Sequence, residues 1–158
     1  MNQRTNAFGQ PVGDPMPDWK PVPRPPRAPM DGRYCRLEAF DVDRHGAQLH
    51  AAYSENKDGS MWTYMPAGPF ASLDDFLAWM RPAAESEDPL FHTIIETASG
   101  EAVGQAALMR ITPEHGVIEV GNIAFSPRLQ RTPIATESMF LLMKRVFDEL
   151  GYRRYEWK

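Results

Sequence analysis

The chain has 158 residues, 42% of them apolar and 24% charged, with a formal net charge of −4. Those values allow a buried core and exclude a wholly disordered chain, a collagen-like rod or a coiled coil. No apolar run approaches the ~18–20 residues of a membrane span, no apolar leader opens the chain, and a mildly acidic protein is not built for nucleic acid.

Eight of the fifteen prolines fall in residues 1–30. Each proline fixes φ and removes a donor, so this stretch predicts an extended arm with polyproline character. It carries Arg4, Lys20, Arg24 and Arg27 against Asp14 and Asp18, a local charge of +2. Two readings stay open: a free tail, or an arm packed on the body through Val12, Trp19 and Val22. Residues 31–158 are then the folded domain. Their acidity sits in residues 39–90, which suits either solvated helix faces or a positively charged substrate such as an amine.

Tyr34–Phe40 alternates as a first strand. Asp41 caps a helix whose apolar stripe is Val42, His45, Leu49 and Tyr53. A loop rich in large side chains follows, from Met61 through Trp62, Tyr64 and Pro66 to Phe70. Ser72 opens a second helix with Leu73, Phe76, Leu77 and Met80 on its buried side, and Pro82 is expected to stop it or to restart a short turn. The pattern then switches to strands at Leu90–Glu96, Ala102–Ile111 and Val117–Phe125, joined by short Gly-containing turns that mark antiparallel hairpins. Pro133 suits the first turn of a third helix, with Ile134, Met139, Leu142, Met143, Val146 and Leu150 on its apolar face and Gly151 as its C-cap. Tyr152–Trp157 is a last strand. The order β-α-α-β-β-β-α-β predicts an α+β fold with a mixed, mostly antiparallel sheet flanked by helices.

Chemistry concentrates where the fourth strand runs into the third helix. The segment from Glu119 to Glu137 is a strand, a basic polar loop and a helix N-terminus. Unpaired N–H groups and the helix dipole favour phosphate there. Arg128 and Arg131 add full charges, and the hydroxyls of Thr132 and Thr136 add donors. The four histidines are scattered, and the single Cys35 allows neither an internal disulfide nor a cysteine zinc site, so no metal centre is expected. One free thiol fits a reducing, cytoplasmic setting.

Ser126-Pro127, the loop Leu129-Gln130-Arg131-Thr132 and Ala135-Thr136-Glu137-Ser138 resemble the acetyl-CoA motif of the GNAT N-acetyltransferases. The likeness is greatest to the branch related to ribosomal-protein N-terminal acetyltransferases. The element order from Tyr34 to Trp157 is similar too. The resemblance implies a GNAT-like acyl-CoA N-acyltransferase fold and acetyl transfer from acetyl-CoA to a primary amine, a protein N-terminus or a small molecule. It implies that Ile123, Ala124 and Phe125 pair with the pantetheine arm. It also implies that Arg128, Gln130, Arg131, Thr132, Ile134, Ala135 and Thr136 hold the pyrophosphate end. Glu119 is implied as the base that takes the amine proton. The aromatic loop itself leaves two readings open: Trp62, Tyr64 and Phe70 line an acceptor pocket, or the loop packs on the core. The sequence departs from the usual Gln/Arg-x-x-Gly-x-Gly/Ala loop at Pro133, which replaces a glycine and has no N–H to offer.

Such enzymes continue after the fifth strand with a helix and a closing hairpin. With Lys158 last, the expected fold is truncated after the fifth strand and leaves a sheet edge open to a second copy, a homodimer. The alternative function is a non-catalytic module on a degenerate acetyltransferase fold, binding a partner through that edge or through the Pro-rich arm.

Overall fold

The computed structural model describes residues 4–158. Its sheet has six strands in sequential order, β1 (Met30–Asp31), β2 (Cys35–Ala39), β3 (Leu90–Glu96), β4 (Ala102–Thr112), β5 (Val117–Phe125) and β6 (Arg154–Trp157). All neighbours are antiparallel except β5 and β6, which run parallel around a crossover helix. The expectation of a fold stopped after its fifth strand is not borne out. Met30–Asp31 hairpins back on Arg36–Leu37 and adds a strand at the start. Two residues between Pro29 and Gly32 carry too little alternation to announce that strand.

Helices α1 (Val42–Tyr53) and α2 (Leu73–Glu85) pack on one face of the sheet, and α3 (Pro133–Lys144) lies on the other. The caps are those the sequence predicts. Asp41 accepts from the N–H of Asp43 and Arg44, both at 3.1 Å. Ser72 accepts from the N–H of Asp75 at 3.1 Å and donates to its carboxylate at 2.8 Å. Pro82 does not stop α2, which continues to Glu85. So close to the C-terminus its missing N–H disrupts only the last turn. Beyond Lys144 the backbone widens into a π-helical turn, Arg145–Glu149, before Gly151 turns the chain at φ 75°.

Two apolar clusters fill the spaces on either side of the sheet. Leu37, Leu108, Ile111, Ile118, Val120, Leu129 and Leu142 pack under α3. Phe40, Leu49, Tyr53, Trp62, Phe76, Met80 and Phe91 pack beneath α1 and α2 with edge-on and stacked rings. Among the described residues no helix is long and apolar enough to cross a membrane.

The Pro-rich segment is tied to the body. Trp19 donates its indole N–H to Glu114 O at 2.8 Å, and Arg153 lies over its ring. The Arg27 guanidinium donates to Ala84 O and Ser86 O, at 2.6 and 2.8 Å, where α2 ends. Buried Arg145 donates to Ala28 O and Pro29 O, at 3.1 and 2.9 Å. Trp19 and Val22 therefore meet the body, whereas Val12 stays exposed beside a small bridge between Thr5 and Pro11.

Candidate functional site

Strand β5 splits into two halves. Val117–Val120 pairs with β6, but from Gly121 to Phe125 no strand lies beside it on that side among the described residues. A bulge creates the bend. Asn122 and Ile123 stand opposite Ala106 alone, and Asn122 adopts φ 49°. The bulge is held from below, since Gln105 donates to Asn122 O at 3.4 Å and accepts from the Tyr53 hydroxyl at 3.0 Å. The amides of Ile123 and Phe125 thus border an open strand edge that an extended ligand can join.

The loop after β5 is a built turn. Ser126 O accepts the N–H of Leu129 and of Gln130, at 2.9 and 3.1 Å. Leu129 is fully buried and presses on Gly104, where a Cβ would stand 2.5 Å from its methyl carbon and 2.9 Å from Ala124 O. Arg131 sits at φ 61°, in the left-handed region. Thr132 is the N-cap of α3: its hydroxyl donates to Leu129 O at 2.7 Å and accepts from Ala135 N–H at 3.4 Å. Pro133 occupies the first helical position. Among the described residues this leaves the N–H groups of Arg131, Thr132 and Ile134 without a hydrogen-bond acceptor. Arg131 and Thr136 are exposed around them.

Two residues assigned to that loop are engaged elsewhere. Gln130 donates its side-chain amide to Phe125 O at 2.9 Å, on the strand expected to meet pantetheine. Arg128 pairs with Glu55 at 3.1 Å, which ties the loop to the end of α1. Ala124 is buried, its side chain in the cluster under α1 and α2.

Glu119 is buried, 6% exposed, on the face opposite Ile118 and Val120. Its Oε2 meets Arg110 at 3.1 Å and Lys158 at 3.2 Å. The acceptor pair separates. Trp62 is buried against Tyr53 and Phe70 and lines a cavity of about 70 Å³ with His50, Asn56 and Phe76. Tyr64 is 97% exposed and lines no such cavity. The 3-10 turn Ser60–Trp62 packs against β5, so this aromatic loop borders the split strand.

Sequence reasoning passed over Glu137. Its carboxylate accepts three successive backbone N–H groups, from Arg33, Tyr34 and Cys35, at 2.8, 2.6 and 2.8 Å. Burial pushes the carboxyl up, but these three donors outweigh it and hold it below the usual range. Burial, with Glu137 alongside, pushes the Cys35 thiol up to about 12, so it stays a packed, unreactive group. Among the described residues no group of His, Cys, Asp and Glu is arranged to hold a metal ion.

Residues 36–158 match the family model for the acetyltransferase (GNAT) domain. The fold is similar to a GCN5-related N-acetyltransferase from Brucella melitensis at 46% identity and TM-score 0.87. That match covers 90% of this chain and 64% of the Brucella chain, so the chain spans under two thirds of that relative's length. A Chromobacterium violaceum protein assigned to the GNAT family aligns at 36% identity and TM-score 0.82, over 94% of this chain and 73% of its own. The microcin C7 self-immunity acetyltransferase, solved with acetyl-CoA and AMP, shares the fold at 13% identity and TM-score 0.67, over 80% of this chain and 69% of its own. No curated protein matches the chain.

Proposed function

Because the chain belongs to the acetyltransferase (GNAT) domain family, we propose that it transfers the acetyl group of acetyl-CoA to a primary amine. The observation that carries this reading is the split strand β5 leading directly into a loop of free N–H groups at the N-terminus of α3. The residues fit the coenzyme: an open strand edge suits an amide-bearing arm, and the capped helix start with Arg131 suits its phosphates. Pro133 offers one donor fewer than a glycine. In this reading Ile123 and Phe125 meet the pantetheine through their backbone, and Ala124 faces the core between them. Arg131, Thr132, Ile134 and the first turn at Ala135 and Thr136 receive the pyrophosphate. Arg128 and Gln130 support the loop from Glu55 and Phe125.

Acetyl-CoA supplies the activated acetyl group. The chain's own work is to deliver a neutral amine and to orient the carbonyl. Glu119 accepts a proton from the ammonium group, so that the nitrogen lone pair can attack the thioester carbon. The C–N bond forms as the C–S bond breaks, and the nitrogen's surplus proton leaves with the thiolate sulfur. Strand amides polarise the carbonyl oxygen. The aromatic loop carrying Trp62 and Tyr64 frames the acceptor. The acceptor is a protein N-terminus or a small amine, and the outer edge of β6 can pair with a second copy.

A thiol-release assay tests this with acetyl-CoA and three amines: a peptide N-terminus, an amino sugar and a polyamine. Release with at least one amine, cut by about 10²-fold or more in Glu119→Gln, is the expected result. Coenzyme binding with no release from any amine favours the non-catalytic module instead. The engagement of Phe125 O by Gln130 and the missing Pro133 N–H are what support that second reading.

A further inference from the structure

We infer that Asp88 and Arg110 together position Glu119, leaving one carboxylate oxygen held and the other free to take a proton. The inference rests on the proposed role of Glu119 as the proton acceptor. A second bulge lies at the far end of β4.

Met109 pairs with Glu119 and Thr112 with Val117, so Arg110 and Ile111 together face Ile118. Leu108 and Ile111 both lie in the core under α3, three residues apart where a regular strand would place core residues two apart. The inserted residue is Arg110. In a regular strand it would follow Met109 onto the core face. The bulge instead hands that place to Ile111 and turns Arg110 onto the face of Glu119.

The bulge has a dedicated anchor. Arg110 adopts φ 48°, a conformation that costs a non-glycine residue. Asp88, just ahead of β3, accepts the N–H of Arg110 at 2.8 Å with one oxygen and the N–H of Ile111 at 2.9 Å with the other. A bulge leaves such donors off the ladder, and here a single carboxylate takes both.

The groups facing Glu119 are Arg110 from β4, Glu156 from β6 and Lys158 just after it. Lys158 also pairs with Glu156 at 2.8 Å, and Glu156 with Arg154 at 2.6 Å. Both cations on Glu119 meet Oε2, and Oε1 has no ion-pair partner among the described residues. Oε1 lies near Gly121, 3.9 Å from where a Cβ would stand. It is therefore on the side of the Asn122 bulge and the open strand edge. Asp88 and Arg110 touch neither proposed substrate, and they act through Glu119.

The test measures kcat and the KM for acetyl-CoA in folded variants, with unfolding followed alongside. Arg110→Met, an exposed position, should lower kcat about tenfold and leave the KM for acetyl-CoA unchanged, and Arg110→Lys should restore most of the loss. Asp88→Ala should lower kcat in the same way. The double variant should lose no more than Arg110→Met, because both act along one path. An unchanged kcat in Arg110→Met overturns the inference, and so do additive losses in the double variant. Turnover of Glu119→Gln is read separately. Full activity there removes the proton-acceptor role, whereas loss of activity there with wild-type kcat in Arg110→Met removes only the positioning.

Discussion

Glu137 shows how much one side chain can organise. It stands on α3, yet its carboxylate closes the turn between β1 and β2 by taking three consecutive N–H groups. Gly32 has no side chain because a Cβ there would press on this carboxylate, 2.5 Å from its oxygen. Glu137→Gln keeps the size and loses the charge-assisted bonds, so unfolding at pH 7 should show a loss of about 1–2 kcal/mol. The carboxyl is held below its ordinary value, so its contribution is present above about pH 4.5 and fades as pH falls through the folded value. The gap between wild type and variant should therefore close in acid; a constant gap across pH would count against the assignment. This role was not legible beforehand. Glu137 looked like one more polar position in a motif, because its partners lie about a hundred residues away in sequence.

At the scale of elements, the strand periods and caps were readable and the departures from regularity were not. Leu90–Glu96 and Val117–Phe125 alternate clearly, and Asp41 and Ser72 cap where expected. The bulges at Asn122 and Arg110 and the π-turn after Lys144 depend on partners across the sheet, so no local pattern marks them. The loop that follows β5 has its own support. Gly104 admits Leu129, and Leu129 fixes the turn that presents the free N–H groups. Gly104→Ala should drive that leucine out of place, lowering stability by about 1–3 kcal/mol. It should also weaken coenzyme A binding, since the loop shifts with it. Wild-type affinity in a folded Gly104→Ala protein would show that the loop is positioned by other contacts. Trp62 and Tyr64 were grouped because they are two apart in one aromatic stretch, but a 3-10 turn buries the first and exposes the second.

At the scale of the whole molecule, the N-terminal segment is a strap along one side of the domain. It meets the β4–β5 turn through Trp19, the end of α2 through Arg27 and the π-turn through Arg145. Composition predicted an extended segment, but the docking needed partners that only the fold brings near. Beneath the strap, His92 is buried and its Nδ1 has no hydrogen-bond partner. Burial first, then the nearby Arg145, lowers its ring to about 4. The unfolded chain binds that proton near pH 6.5 and the folded one does not, so stability should fall as pH drops from about 6.5 to 4. The loss from this residue is about 3 kcal/mol. Urea unfolding across that range should be steeper in wild type than in His92→Gln, and identical slopes would contradict the assignment.

The open edge of β5 and the start of α3 are the proposed coenzyme site. Calorimetric titration with coenzyme A tests it most directly, on wild type and on Arg131→Ala/Thr132→Ala. Wild type should bind saturably and one-to-one, with binding weakened about tenfold or more, over about 1.4 kcal/mol, in a double variant that still folds. No binding by wild type, or equal affinity in both proteins, would contradict it.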